Sequence, residues 1–182
     1  MENRIIIAGF GGQGILFFGK ILAYAGMLEG KEVTWFPSYG AEVRGGTANC
    51  TVIISDELIG SPVVKNPDML ITMNDASMNK FLPGLKQHGL FLFDSSLIKD
   101  PELRTDVETI AVPATEISSR IGNTKSTNMV LLGALVAKTG ILEKASILEA
   151  VESSLPERKT KIIGNNKKAV MEGMRFIEDK KS

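Results

Sequence analysis

Apolar residues along this chain come in short bursts, and the spacing within the bursts changes from one to the next. Ile5 to Ala8 is an unbroken apolar run, the pattern of a strand covered on both faces. After a glycine-rich interval, Ile15 to Leu28 predicts a helix ended by Gly30, and Val33 to Phe36 predicts a second strand stopped by Pro37. The opening therefore has strand–helix–strand order. Thr47 to Ile54 and Leu58 to Val64 bracket Ser55-Asp56-Glu57, a hairpin-turn sequence, so part of the sheet is expected to be antiparallel. Met69 to Met73, Leu90 to Phe93 and Val107 to Val112 read as further strands, alternating with helices that begin near Asp75 and Pro113. Beyond them, Met129 to Lys138, Glu143 to Leu155 and Lys167 to Asp179 carry apolar residues at helical spacing, with Gly140 and Pro156 as stops. The prediction is an α/β protein, a single domain over residues 1–182. It has a three-layer Rossmann-like mixed sheet, an antiparallel hairpin and a helical C-terminal third. There is no internal repeat or low-complexity linker, and Asp179 to Ser182 reads as a frayed tail.

Composition narrows the function classes. Lys plus Arg and Asp plus Glu both number 21, and without a basic stretch or aromatic ladder nucleic acid is not an expected partner. The single Cys50 rules out an internal disulfide and cannot assemble an iron–sulfur cluster or structural zinc site, so cytoplasmic residence is the default expectation. Ile5 to Leu28 is long enough to span a membrane, yet six glycines and Lys20 interrupt it and no cleavage site follows a basic leader. A membrane role is not expected.

Gly9, Gly11, Gly12 and Gly14 lie between the first strand and the first helix. Such a turn exposes backbone N–H groups at the positive end of a helix dipole, where a phosphate or carboxylate fits, although glycines there can also serve only tight helix–sheet packing. The spacing matches G-x-G-x-x-G. The acid that reads a ribose at the end of the second strand is missing, because that strand ends in Trp35-Phe36-Pro37-Ser38 and Glu29 and Glu32 precede it. A stand-alone NAD enzyme is disfavoured accordingly.

The segment PSYGAEVRGGTANC, Pro37 to Cys50, follows the second strand and should share a crevice with the glycine turn, since ligands of open α/β sheets collect beyond the carboxyl ends of strands. Arg44 offers a planar donor fork for phosphate or carboxylate, or else pairs with Glu42 to brace the loop. Asn128, after Ser126 and Thr127, either belongs to a helix N-cap or orients a ligand or partner loop. His88 is expected in a surface turn, Cys50 in the core, and Met69, Met73 and Met78 in packing positions.

Taken together, GFGGQG at Gly9 to Gly14, PSYGAEVRGGTANC at Pro37 to Cys50 and TNMVLLGAL at Thr127 to Leu135 resemble the gamma subunit of the 2-oxoacid:ferredoxin oxidoreductases. The SYG-x-E-x-RGGTAN form is more similar to 2-oxoglutarate and branched-chain 2-oxoacid enzymes than to pyruvate enzymes. The resemblance implies a subunit of an enzyme that converts a 2-oxoacid and coenzyme A to acyl-CoA and carbon dioxide while reducing ferredoxin. It implies alpha and beta partner subunits and a small ferredoxin-like one, which hold the thiamine diphosphate, magnesium and iron–sulfur clusters, and a gamma chain that holds none. This chain would be inactive alone, cover the active site and contribute to CoA binding. On that reading Gly11, Gly12, Gln13 and Gly14 form a backbone cradle for a CoA phosphate or an alpha-chain segment. Ser38, Tyr39, Glu42, Arg44, Gly45 and Gly46 face it, and Asn128 contributes from a helix end. No residue is assigned acid–base chemistry. The rival reading is a purely structural subunit whose glycine turn docks the alpha chain.

Overall fold

The computed structural model describes residues 1–38 and 47–180. Six strands form one sheet: β1 (Glu2–Phe10), β2 (Glu32–Ser38), β3 (Thr47–Ser55), β4 (Met69–Thr72), β5 (Leu90–Asp94) and β6 (Glu108–Val112). Their order is β2-β3-β1-β4-β5-β6, with β1, β4, β5 and β6 mutually parallel and β3 antiparallel to both its neighbours. β1 and β2 thus run the same way with β3 between them, and Cys50 lies opposite Ile7 on one side and Pro37 on the other.

Two expectations change. β2 runs through Pro37 to Ser38 rather than stopping at the proline, because β2 is an edge strand with only β3 beside it, and an edge tolerates a missing donor. The antiparallel hairpin joins β2 to β3, and residues 58–64 form no strand. Both edges of β3 are already taken by β1 and β2, and Gly60-Ser61-Pro62 splits the apolar run. Leu58 and Val63 accordingly stand 86% and 59% exposed.

Helices α1 (Ile15–Leu28), α3 (Ala114–Arg120), α4 (Thr127–Thr139), α5 (Lys144–Ser153) and α6 (Thr160–Asp179) cover one face of the sheet, while α2 (Asp75–Phe81) covers the other. The larger core lies on the first face. There Ile5, Ile7, Val52 and Ile54 of the sheet share a core with Phe18, Ile21 and Leu22 of α1 and Met129 to Leu132 of α4. α1 is apolar nearly all round, as a helix wedged between a sheet and further helices should be. Gly19 brings it close: a β-carbon there would lie 2.5 Å from the Cys50 Sγ and 2.9 Å from the Trp35 Nε1. α4 and α6 touch backbone to backbone. A β-carbon on Gly133 would collide with the Val170 carbonyl, and one on Gly173 with the Val130 carbonyl. α6 begins at Thr160, earlier than the apolar pattern from Lys167 indicates, since its first turns face solvent. Gly140, with φ 61°, ends α4 as expected.

Candidate functional site

β1 passes its chain to α1 on one face and β4 passes its chain to α2 on the other, so the topological switch point lies between β1 and β4, where open α/β sheets bind ligands. Gln13 spans this gap. Its Oε1 accepts from the Phe10 N–H at 2.6 Å and its Nε2 donates to the Met73 carbonyl at 3.2 Å. Its side chain is therefore committed to holding the turn.

The turn itself needs left-handed backbone at Gly12, φ 93°, and at Gly14, φ 75°, which stands at the N-cap of α1. Among the described residues nothing lies within 4 Å of the position a Gly12 β-carbon would take. Gly14 differs. A β-carbon there would collide with the amide of Asn128, whose Nδ2 donates to the Gly14 carbonyl at 3.0 Å. That carbonyl also accepts from the Phe18 N–H at 2.9 Å. Among the described residues no hydrogen bond uses the N–H of Gly11, Gly12 or Gly14. These donors sit at the positive end of α1 and are available to an anion or a carbonyl.

They open onto a crevice of about 320 Å³ whose walls are largely apolar, formed by Phe10, Leu16 and Phe17 with Ser38 and Ala48. The shared crevice beyond β1 and β2 is thus present, with the start of β3 between them. Gly11, Gly12, Gly14 and Ser38 come together there. Asn128 joins through Gly14 rather than by reaching the crevice. Tyr39, Glu42, Arg44, Gly45 and Gly46, and with them the Arg44–Glu42 pairing, lie outside the described residues. No acid ends the described part of β2. Glu29 accepts the Glu143 N–H at 2.7 Å at the start of α5, and Glu32 opens β2 at its other end.

Ser126, Thr127 and Asn128 do not cap α4 with their side chains. The Ser126 Oγ donates to the Asn166 Oδ1 at 2.6 Å, and the Thr127 Oγ1 meets the Ser118 Oγ at 2.8 Å. Their buried polar groups are spent on tertiary contacts. Cys50 is fully buried, and burial pushes its thiol up to about 12. His88, exposed in the turn before β5 with φ 61°, belongs to no reactive pair with it. Met73 and Met78 pack in the cores, and Met69 is half-buried against one of them. Among the described residues no three of His, Cys, Asp and Glu converge as a metal would require, and no helix is long and apolar enough to cross a membrane.

The switch point also collects residues that the sequence reading passed over. Asn74 caps α2 by accepting the Ser77 N–H at 2.7 Å, and its Nδ2 and the hydroxyls of Thr72 and Ser77 are buried without partners among the described residues. The sequence signal was Thr-Met-Asn-Asp, a capping residue directly after an apolar strand.

The sequence match places the chain in a family of redox enzymes. Residues 4–176 match the pyruvate ferredoxin/flavodoxin oxidoreductase family, and the chain belongs to it. It is 39% identical over 174 residues to the ketoisovalerate oxidoreductase subunit VorA of Methanothermobacter marburgensis, covering 94% of this chain but only 36% of that one. The chain thus spans about a third of that relative's length. The 2-oxoglutarate synthase subunit KorC of the same organism is 33% identical over 186 residues, covering 96% of this chain and 100% of KorC. Among solved structures, the gamma subunit of a keto/oxoacid ferredoxin oxidoreductase from Geobacter sulfurreducens PCA superposes with a TM-score of 0.84. It is 32% identical, covering 97% of this chain and 99% of that one.

Proposed function

We propose that this chain is the gamma subunit of a 2-oxoacid:ferredoxin oxidoreductase, working with alpha and beta subunits that carry the thiamine diphosphate, magnesium and iron–sulfur clusters. The complex reduces ferredoxin as it converts a 2-oxoacid and CoA to acyl-CoA and carbon dioxide. The family match and the full-length similarity to KorC support the subunit assignment and favour 2-oxoglutarate as the oxoacid, with the VorA similarity supporting a branched-chain oxoacid as the second reading.

One observation carries the role within the complex: among the described residues the N–H groups of Gly11, Gly12 and Gly14 are unused, and they face an apolar-walled crevice. Donors and apolar walls together suit CoA, which has phosphates and a long pantetheine arm, and Arg44 is proposed to complete the wall. A polar segment of the alpha chain would use the same donors, which is the structural alternative. The two separate by reaction step, because decarboxylation needs only the oxoacid whereas acyl transfer needs CoA. In the reconstituted complex, Arg44→Ala should weaken apparent CoA affinity roughly tenfold, as loss of a charge-assisted contact predicts, and leave CoA-independent carbon dioxide release unchanged. Unchanged CoA kinetics in a normally assembled complex would refute the CoA reading, and loss of assembly would favour the docking one. Gly12→Ala is a poor substitute for this test, since alanine at φ 93° is strained before any ligand is met.

A further inference from the structure

The two edges of the sheet are built differently. β6, at one edge, is five residues long and guarded by charge: Glu108 pairs with Lys138, and the Lys180 ammonium donates to the Ala111 carbonyl at 3.4 Å. Short length and charged side chains are what keep an edge strand from pairing with another chain. β2, at the other edge, is seven residues long, and its guards are Glu32 at its start and Pro37 near its end. Between them it presents Trp35 on one face of the sheet, 36% exposed, and Phe36 on the other, 52% exposed. The second face carries more. Phe36 stands opposite Thr51, whose Oγ1 donates to the Pro62 carbonyl at 3.3 Å, so the segment bearing Val63 lies beside the strand with that side chain in solvent. The helix on this face does not reach so far, since α2 packs against β1 and β4.

An occupant of this edge must pair a row of backbone N–H and C=O groups and cover apolar side chains above and below them. A lipid surface would cover the aromatic rings and leave the backbone groups unpaired. An extended peptide does both, its main chain supplying the hydrogen bonds and its alternate side chains meeting the two faces. We infer that the free edge of β2 receives an extended segment of a neighbouring subunit, with apolar side chains packed on Trp35 from one face and on Phe36 and Val63 from the other. VorA indicates which subunit. This chain covers 36% of VorA and the whole of KorC, so the same domain exists both joined to further polypeptide and by itself. A domain that is joined in one protein and separate in another meets the same neighbour through a protein–protein interface in the second. The segment therefore belongs to the subunit that corresponds to the remainder of VorA, an assignment that rests on the multisubunit complex proposed above.

The test uses the complex reconstituted from the full-length chain with its alpha and beta subunits. Amide hydrogen exchange within β2 should slow roughly tenfold or more on assembly, as the outward-facing N–H groups gain acceptors. Phe36→Lys with Val63→Lys, both at exposed positions, should weaken assembly roughly tenfold or more and leave the melting curve of the free chain in place. The inference is overturned if β2 exchanges as fast in the complex as in the free chain, or if the lysine variant assembles as tightly as wild type; a complex that forms in either case leaves the proposed function standing. If wild type joins no alpha and beta subunits, both fall. Self-association of the free chain that the lysine variant abolishes would give the edge to a second copy and overturn the inference as well.

Discussion

Asn128 offers the sharpest test of how the site is held. It sits in the first turn of α4, 3% exposed, and donates to the carbonyl of Gly14 across 114 positions of chain. Asn128→Ala removes that donor but orphans nothing, because the Gly14 carbonyl keeps the Phe18 N–H at 2.9 Å. The loss should therefore stay near that of one ordinary hydrogen bond plus a small cavity, about 1–2 kcal/mol, or about 2–8 °C in Tm for a chain of this size. Asn128→Asp is nearly isosteric yet turns the donor into an acceptor facing a carbonyl in a buried site. An ionised carboxylate there would be desolvated and face the Gly14 carbonyl, so the cost near neutral pH should reach about 3 kcal/mol or more. Its pH dependence has a fixed sign. Burial raises the folded-state pKa of such an aspartate, so its penalty is smallest below the unfolded value and grows as pH rises toward the folded one. Urea unfolding of both variants between pH 4 and pH 8 should show alanine offset evenly from wild type and aspartate falling away with rising pH. Equal, pH-independent stability of the two would refute the donor role of Asn128.

Gly173→Ala should destabilise by about 1–3 kcal/mol and Gly164→Ala by none, since the first forces a β-carbon into the Val130 carbonyl whereas the second meets open space; denaturant midpoints of the pair decide it. Cys50, buried and with its thiol raised to about 12, should resist iodoacetamide in the folded protein at pH 8 and react once urea unfolds it. The same shift favours folding below the thiol's usual value of 9.0, and this contribution is lost as pH climbs from there toward about 12.

The division between what sequence and tertiary structure decide follows from the range of the interactions involved. Short-range physics was written plainly in the sequence. The apolar run of β1, the bounds Ile15–Leu28 of α1, the glycines that turn the chain between them and the Gly140 stop all depend on neighbours a few residues apart. The family resemblance was legible for the same reason, since its motifs are local strings. Pairing was not. Residues 58–64 read as a strand, and the occupation of both β3 edges left them no partner there. Pro37 looked like a terminator until β2 proved to be an edge. Gln13 was expected to lend only its backbone to a cradle, and Asn128 either to cap a helix or to orient a ligand or partner loop. Each instead spends its side chain on a backbone group distant in sequence, Gln13 on Met73 and Asn128 on Gly14. A glutamine or an asparagine carries no mark of which distant group will satisfy it. The Ser126–Asn166 hydrogen bond ties the start of α4 to α6, whose backbone touches that of α4 at Gly133 and Gly173, a contact that no local pattern encodes.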